Sequence, residues 1–193
     1  MSVRKIVTSE APVLRQVSRR IPRVDDSIVR LLDDLGETLA AAHGAGLAAP
    51  QIGVPLRAAA VRGDGGQAVL IVNPEVVKQD GSQVGYEGCL SIPGLIGEVE
   101  RAETVVVKGL SRRGKPIRVK ANGFTARAYQ HEIDHLDGIL FTDKLTSLDT
   151  LRHVDDAPEG GAEDVPLGGP AHGRTHGDGA KPEPAGVEGA ASR

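Results

Sequence analysis

The order of apolar patterns along the sequence predicts an α+β fold, in which antiparallel sheets pack around a central helix. Three observations support this prediction: a helical pattern at residues 25–42, short apolar runs between residues 58 and 120, and a second helical pattern at residues 123–137. Strands that are grouped rather than alternating with helices are typical of α+β proteins. A chain of 193 residues is long enough for one domain with its own core.

The first predicted helix spans residues 25–42 and ends before Gly44 and Gly46. Its apolar residues recur at the period of an amphipathic helix. They are Ile28, Leu31, Leu32, Leu35 and Leu39.

Two hairpins follow this helix in the predicted fold. Residues 58–61 and 68–72 are apolar runs separated by a glycine-rich turn, and together they predict the first hairpin. Residues 99–110 and 116–120 flank a turn that contains Gly114, and they predict the second. The last predicted helix then spans residues 123–137.

Asn122 is in position to cap the start of that last helix, and Gly138 is in position to end it. The composition changes near residue 155, since residues 155–193 contain nine glycines and five prolines in 39 positions. So few apolar side chains cannot offset the entropy of ordering the segment. We therefore predict a domain at residues 1–154 and a disordered tail at residues 155–193.

Charge and composition exclude several classes of partner. The net charge of −3 gives no overall attraction to DNA or to an anionic membrane. The first fifteen residues contain no long apolar run, so we expect neither a signal peptide nor a membrane-spanning helix, and we expect a cytoplasmic protein. Cys89 is the single cysteine, which agrees with a reducing compartment and leaves its thiol free for other chemistry.

The strongest chemical signal is His131-Glu132-Ile133-Asp134-His135, within the last predicted helix. Residues four apart project from one helix face, so the two imidazoles can bind one metal ion. Glu132 lies beside them, where a carboxylate can act on a water molecule of that ion.

A catalytic metal site usually has three protein ligands. The extended metalloprotease motif would continue to a third histidine, but Phe141 stands at that position. Cys89 is a further candidate, because a cysteine and two histidines suit Zn²⁺ or Fe²⁺. The carboxylates that remain are Asp143 and Asp149, with Glu159 and Glu163 in the predicted tail.

Three segments together resemble the motifs of the peptide deformylase family. They are Gly-Ala-Gly-Leu-Ala-Ala-Pro-Gln at residues 44–51, Glu-Gly-Cys-Leu-Ser at residues 87–91 and Gln-His-Glu-Ile-Asp-His at residues 130–135. They occur in the order and at the separations of the family, and the resemblance extends over residues 5–150. It implies a metal-dependent hydrolase that removes the formyl group from N-formylmethionyl nascent peptides, with transient ribosome contact as a further expectation.

The resemblance also implies roles for individual residues. Cys89, His131 and His135 would bind the metal, with Fe²⁺ favoured and Zn²⁺, Ni²⁺ or Co²⁺ compatible with the same ligands. Glu132 would transfer the protons. The backbone N–H of Leu90 and the side-chain amide of Gln51 would hold the formyl oxygen. The residues that would contact the peptide are Gly44, Gly46, Leu47, Phe124, Ala128 and the stem of Arg127.

Arg101 matches the family and is expected to pair with Glu87. Residues 94–96 read Gly-Leu-Ile where family members often carry a basic residue, so contacts beyond the methionine are not predicted. A zinc metallopeptidase and a non-catalytic metal-binding homologue remain alternative hypotheses.

Overall fold

A computed structural model describes residues 2–63 and 65–156 of the chain. It confirms the α+β class, with antiparallel sheets and two long helices, α1 (Asp26–Ala42) and α2 (Gly123–Leu136). The described residues form eight strands: β1 (Gly46–Ala48), β2 (Ala58–Arg62), β3 (Ala68–Asp80), β4 (Gln83–Cys89), β5 (Ile92–Arg101), β6 (Thr104–Leu110), β7 (Pro116–Asn122) and β8 (Arg152–His153). Most of the predicted disordered tail, residues 157–193, lies outside the described residues.

Helix α1 forms where its apolar pattern predicted. The side chain of Asp25 caps the helix by accepting hydrogen bonds from the backbone N–H groups of Ser27 and Ile28. The helix ends at His43, which has a left-handed backbone (φ 54°). Its apolar face packs mainly against β1, β2 and β3, and it brings the chain to the glycine-rich segment that starts at Gly44.

Two antiparallel sheets are present, with strand orders β1-β2-β3-β6-β7 and β4-β5-β8. Both predicted hairpins are confirmed, β2 with β3 and β6 with β7. Strand β3 is longer than predicted, because register shifts between Val72 and Lys78 let it continue from β2 onto β6.

The single strand predicted at residues 99–110 is wrong. The chain leaves the second sheet after Arg101 and enters the first sheet at Thr104. The buried Arg101 side chain bonds to a carboxylate between the sheets, whereas Val105 and Val107 belong to the core of the first sheet. No glycine or proline marks this break, so the usual turn signals do not show it.

Helix α2 contains the His131–His135 motif and packs mainly on β1, β2 and β7. The predicted cap at Asn122 is wrong: its side chain makes no cap hydrogen bond and instead pairs with Thr104 across β6 and β7. Gly138 follows the helix with φ 76°, as expected of a residue that ends one. No helix in the described part of the chain is long and apolar enough to cross a membrane.

Candidate active site

The candidate metal ligands meet where strand β4 ends against helix α2. One side-chain ligand atom from each of Cys89, His131 and His135 lies within 4.8 Å of the others, and all three residues are buried. Cys89 Sγ is 3.2 Å from His135 Nε2. A buried thiolate and two imidazoles form a donor set that suits Zn²⁺ or Fe²⁺, so these residues fit a divalent metal.

Local structure explains why these three side chains converge. His131 and His135 are one helical turn apart, and their rings meet edge to face with centroids 4.9 Å apart. Cys89 is the last residue of β4, just after a register shift at Gly88 that bends the strand. The ligand set thus combines a helix face with the bent end of a strand.

Glu87 orients one of the histidines. Its Oε2 atom is 2.9 Å from His131 Nδ1, so Nδ1 donates a hydrogen bond and Nε2 is left for a metal. Arg101 donates to both Glu87 oxygens, at 2.8 and 2.9 Å, which confirms the predicted pair. Burial alone would raise the pKa of Glu87, but the hydrogen bonds from Arg101 and His131 outweigh it and lower that pKa.

Two further residues extend this pair, and the sequence prediction missed them. Arg101 also bonds to Asp134, and Lys144 Nζ donates to Asp134 Oδ1 at 2.9 Å. Asp134 lies inside the histidine motif, which was the one available signal. No sequence signal points to Lys144, because only tertiary folding brings it to the helix.

Glu132 is buried beside the ligands, and its Oε2 atom has no hydrogen-bond partner among the described residues. The Nδ1 atom of His135 is likewise unpartnered there. Buried polar atoms of this kind usually bond to water, a ligand or an ion. Burial raises the pKa of Glu132 to about 7, with the charges of His131 and Glu87 acting in opposite directions. A carboxyl group with such a pKa is suited to proton transfer at neutral pH.

The side-chain amide of Gln51 lies next to the candidate metal ligands. Its Oε1 atom accepts a hydrogen bond from the backbone N–H of Ala48 at 2.7 Å, which turns Nε2 toward Cys89 Sγ, 3.5 Å away. Leu90 is in the tight turn that joins Cys89 to Ile92. Both residues predicted to hold the formyl oxygen are therefore next to the ligand cluster.

The predicted peptide contacts are distributed around this cluster. Gly46 and Leu47 are in β1, the outer strand of the first sheet, while Gly44 and Phe124 line a cavity of about 340 Å³. Ala128 is buried in the core of the first sheet. The guanidinium group of Arg127 is not directed at that cavity, because it is hydrogen-bonded to Glu87.

The fold and the site define a class of protein: a metal-dependent hydrolase with a glutamate inside its two-histidine motif. The family follows from sequence comparison. The chain belongs to the polypeptide deformylase family, whose model matches residues 3–151. Two relatives show how similar it is. A peptide deformylase of Dehalococcoides mccartyi is 48% identical over 163 residues, covering 82% of this chain and 98% of the relative. Peptide deformylase 1 of Bacillus subtilis is 48% identical over 147 residues, covering 76% of this chain and 92% of the relative.

Solved structures agree with the sequence comparison. The crystal structure of a peptide deformylase from Legionella pneumophila matches with a TM-score of 0.73 and 43% identity, over 77% of this chain and 89% of that one. A deformylase from Ehrlichia chaffeensis in complex with actinonin matches with a TM-score of 0.74 and 36% identity, over 78% and 92% of the chains. The predicted enzyme class is thereby confirmed: the chain removes the N-formyl group from nascent peptides. The metallopeptidase and non-catalytic alternatives are not supported.

Proposed function

We propose that this chain hydrolyses N-formylmethionyl peptides to formate and a free N-terminal methionine at the site formed by Cys89, His131, His135 and Glu132. The observation that carries the proposal is the buried cluster of three ligand atoms within 4.8 Å, next to a carboxylate oxygen that has no partner among the described residues. When bound, the metal supplies Lewis acidity and lowers the pKa of water from 15.7 toward about 7.

Glu132 is the proton-transferring residue of this proposal. Its carboxylate takes a proton from the attacking water and gives one to the departing amine nitrogen. Burial raises the pKa of this carboxyl group above its usual value, which favours its uptake of a proton. Burial also keeps bulk water from competing for the same proton, since Glu132 is 2% exposed.

Gln51 and Leu90 stabilise the negative charge that develops on the formyl oxygen. The donors are the side-chain N–H of Gln51, whose Nε2 atom is 3.5 Å from Cys89 Sγ, and the backbone N–H of Leu90, the residue after Cys89. Fixed donors need no reorganisation during the reaction, and removing one from a hydrolase costs on the order of 100-fold in rate. The bond between Gln51 and Ala48 is what fixes the first donor.

The peptide binds along the outer edge of β1. Gly46 and Leu47 pair with β2 on one side only among the described strands, and an extended peptide would pair with their other, strand-free side. The methionine side chain occupies a pocket between this edge and α2. Its proposed lining is Phe124, Ala128, the stem of Arg127 and the ring of His131.

Fe²⁺ is the proposed metal in the cell, with Zn²⁺, Ni²⁺ and Co²⁺ as substitutes that the thiolate and imidazole ligands accept. The proposed setting is the cytoplasm, where formylated nascent chains are made and transient ribosome contact would bring the enzyme to them. The catalytic domain is proposed to end at residue 154.

The first test measures formate release from formyl-Met-Ala-Ser, together with the metal content of protein purified without oxygen. We expect Glu132→Gln to keep its metal and to lose nearly all turnover, because the amide cannot accept the proton. The matched control is Glu10→Gln, an exposed residue, which should behave as wild type. Equal turnover by Glu132→Gln and wild type would contradict the mechanism.

A second variant tests the ligand set. Cys89→Ser replaces a thiolate with a weakly acidic hydroxyl, so we expect weaker metal retention and reduced activity. Full metal content and full activity in this variant would show that Cys89 is not a ligand.

A further inference from the structure

Arg127 is an unusual residue for the interior, since a guanidinium group is rarely this buried unless it is paired. It is 4% exposed on helix α2, one turn before His131. Its Nη1 atom is 3.0 Å from Glu87 Oε1 and 3.0 Å from the carbonyl oxygen of Val99. Its Nη2 atom is 3.3 Å from Gln83 Oε1. The side chain therefore connects α2 to both β4 and β5.

The hydrogen bond from Arg127 completes the set of donors around the Glu87 carboxylate. Oε1 accepts from Arg101 at 2.8 Å and from Arg127 at 3.0 Å, and Oε2 accepts from Arg101 at 2.9 Å and from His131 at 2.9 Å. Each oxygen thus has two donors, so the carboxylate has one fixed orientation.

The charges around Glu87 show why Arg101 by itself does not balance the buried carboxylates. Arg101 is shared between two carboxylates, Glu87 and Asp134. Asp134 has a second partner in Lys144, whose side chain is 39% exposed and so contributes less than a buried charge. Arg127 pairs with Glu87 alone among the acidic residues described. Without it, the buried carboxylates would outnumber the buried cations that face them.

We propose that Arg127 is a positioning residue for the metal centre: it fixes Glu87, which in turn holds the His131 ring with Nε2 toward the metal. The inference rests on the proposed function of the site and adds to it, because the pocket role assigned to Arg127 needs only its apolar stem. A hydrogen-bonded partner of a ligating histidine typically changes metal affinity by 10- to 100-fold when it is lost.

The surrounding structure is adapted to the guanidinium group. Gly85 lies beneath it, and a Cβ atom at that position would be 3.1 Å from Arg127 Nη2. Gln83, which bonds to Nη2, is itself held through Nε2 by the carbonyl oxygens of Ala102 and Gly123, at 3.1 and 2.8 Å. A lysine could supply the charge but not the planar fork that reaches Glu87, Val99 and Gln83 together.

The experiment compares Arg127→Met with wild type. Methionine keeps an apolar stem and removes the fork, so the pocket is preserved while Glu87 loses one donor. We expect Co²⁺ to bind about 10- to 100-fold more weakly in chelator competition, with a shifted Co²⁺ visible spectrum. The KM for formyl-Met-Ala-Ser should stay within about two-fold of wild type, because a positioning role does not act through substrate binding. The control is Arg118→Met on the exposed face of β7, which should change none of these values.

A double-mutant cycle tests the route through Glu87. If Arg127 acts through Glu87, Arg127→Met should change Co²⁺ affinity by less than about two-fold in a Glu87→Gln background. Equal effects in both backgrounds would overturn the proposal. So would wild-type Co²⁺ affinity in a folded Arg127→Met variant, or a rise in KM alone, which would assign Arg127 to the pocket only.

Two further variants test the proposal if Arg127→Met does not fold and separate it from the proposed ligand set. If Arg127→Met does not fold, Gly85→Ala displaces the guanidinium group by a few tenths of an ångström, and it should weaken Co²⁺ binding in the same direction. Unchanged affinity there would overturn the proposal. His131→Ala separates the two claims: if it retains Co²⁺ as wild type does, the proposed ligand set fails, whatever Arg127 does.

Discussion

At the scale of single residues, position 46 requires a glycine because the side chain of Glu132 lies so close to it. A Cβ atom at Gly46 would lie 2.3 Å from Glu132 Oε1 and 2.6 Å from its Cγ. Glu132 is buried, and its Cδ atom would also lie only 2.7 Å from the added Cβ atom, so even one methyl group must displace the carboxylate. The glycine therefore allows the backbone of β1 and the carboxylate of Glu132 to occupy neighbouring positions.

Gly46→Ala should reduce kcat strongly, because a displacement of about 1 Å at a reacting group can cost about 100-fold. The protein should remain folded and should keep its metal, since Glu132 is not a ligand. Formate release and metal analysis measure the two effects separately. Gly65→Ala is the control, because a Cβ atom there meets nothing within 4 Å. Wild-type kcat in Gly46→Ala would show that Glu132 can move without consequence.

At the scale of elements, helix α1 supports the site without contributing a reacting group. Its buried residues Leu32, Leu35 and Leu39 pack against the first sheet, and the chain then turns at His43 into the segment that contains Gly46. The helix begins at the side chain of Asp25, whose Oδ1 atom accepts from Ser27 N at 2.9 Å and from Ile28 N at 3.1 Å. Loss of this cap should weaken the helix rather than the chemistry.

Asp25→Ala should lower the free energy of unfolding by about 1 kcal/mol, since it removes the acceptor for two N–H groups of the first turn. Its kcat should stay within about two-fold of wild type, because the described hydrogen bonds of the Asp25 side chain are to Ser27 and Ile28 and not to a residue of the site. Urea unfolding measures the first effect and formate release the second. The matched control is Asp26→Ala, which removes a carboxylate from the same turn but no cap bond, and which should cost less. Equal losses in both variants would mean that charge, and not capping, matters.

At the scale of the whole molecule, the site is assembled from both sheets and from α2. Cys89 and Glu87 come from β4, Arg101 comes from β5, and the histidines come from α2, which packs on the other sheet. Because these contacts cross between elements that are far apart in sequence, the metal centre depends on the whole domain. All of the proposed site residues lie between Gly44 and His135, inside the family match over residues 3–151.

A chain shortened to residues 1–156 should therefore keep its metal and a kcat/KM within about two-fold of the full chain. The reason is that the match to the family ends at residue 151, so the part of the chain that the family shares is kept in the shortened protein. Formate release and thermal unfolding of the two chains provide the measurement. A loss of more than ten-fold in kcat/KM would assign residues 157–193 a part in catalysis.

Local patterns explain how much of the fold was predictable. The α1 stripe and the two hairpins depend on residues close in sequence, and the structure has them. The break after Arg101 was missed because neither a glycine nor a proline marks it. Strand β4 was missed as well, since Gly85 and Gly88 weaken its strand signal. Its glycines serve other purposes, such as the space for Arg127 above Gly85.

For the site and for the protein as a whole, local sequence patterns also predicted one part, and tertiary packing decided the other. The sequence by itself determined the two-histidine helix, the candidate thiol at Cys89 and the resemblance to the deformylase family, because these depend on residue type and spacing within short segments. Only the tertiary structure decided that Arg127 turns its guanidinium group toward Glu87, and that Lys144 reaches Asp134. Such contacts depend on how two sheets and a helix pack together, and short-range pattern carries no information about that packing.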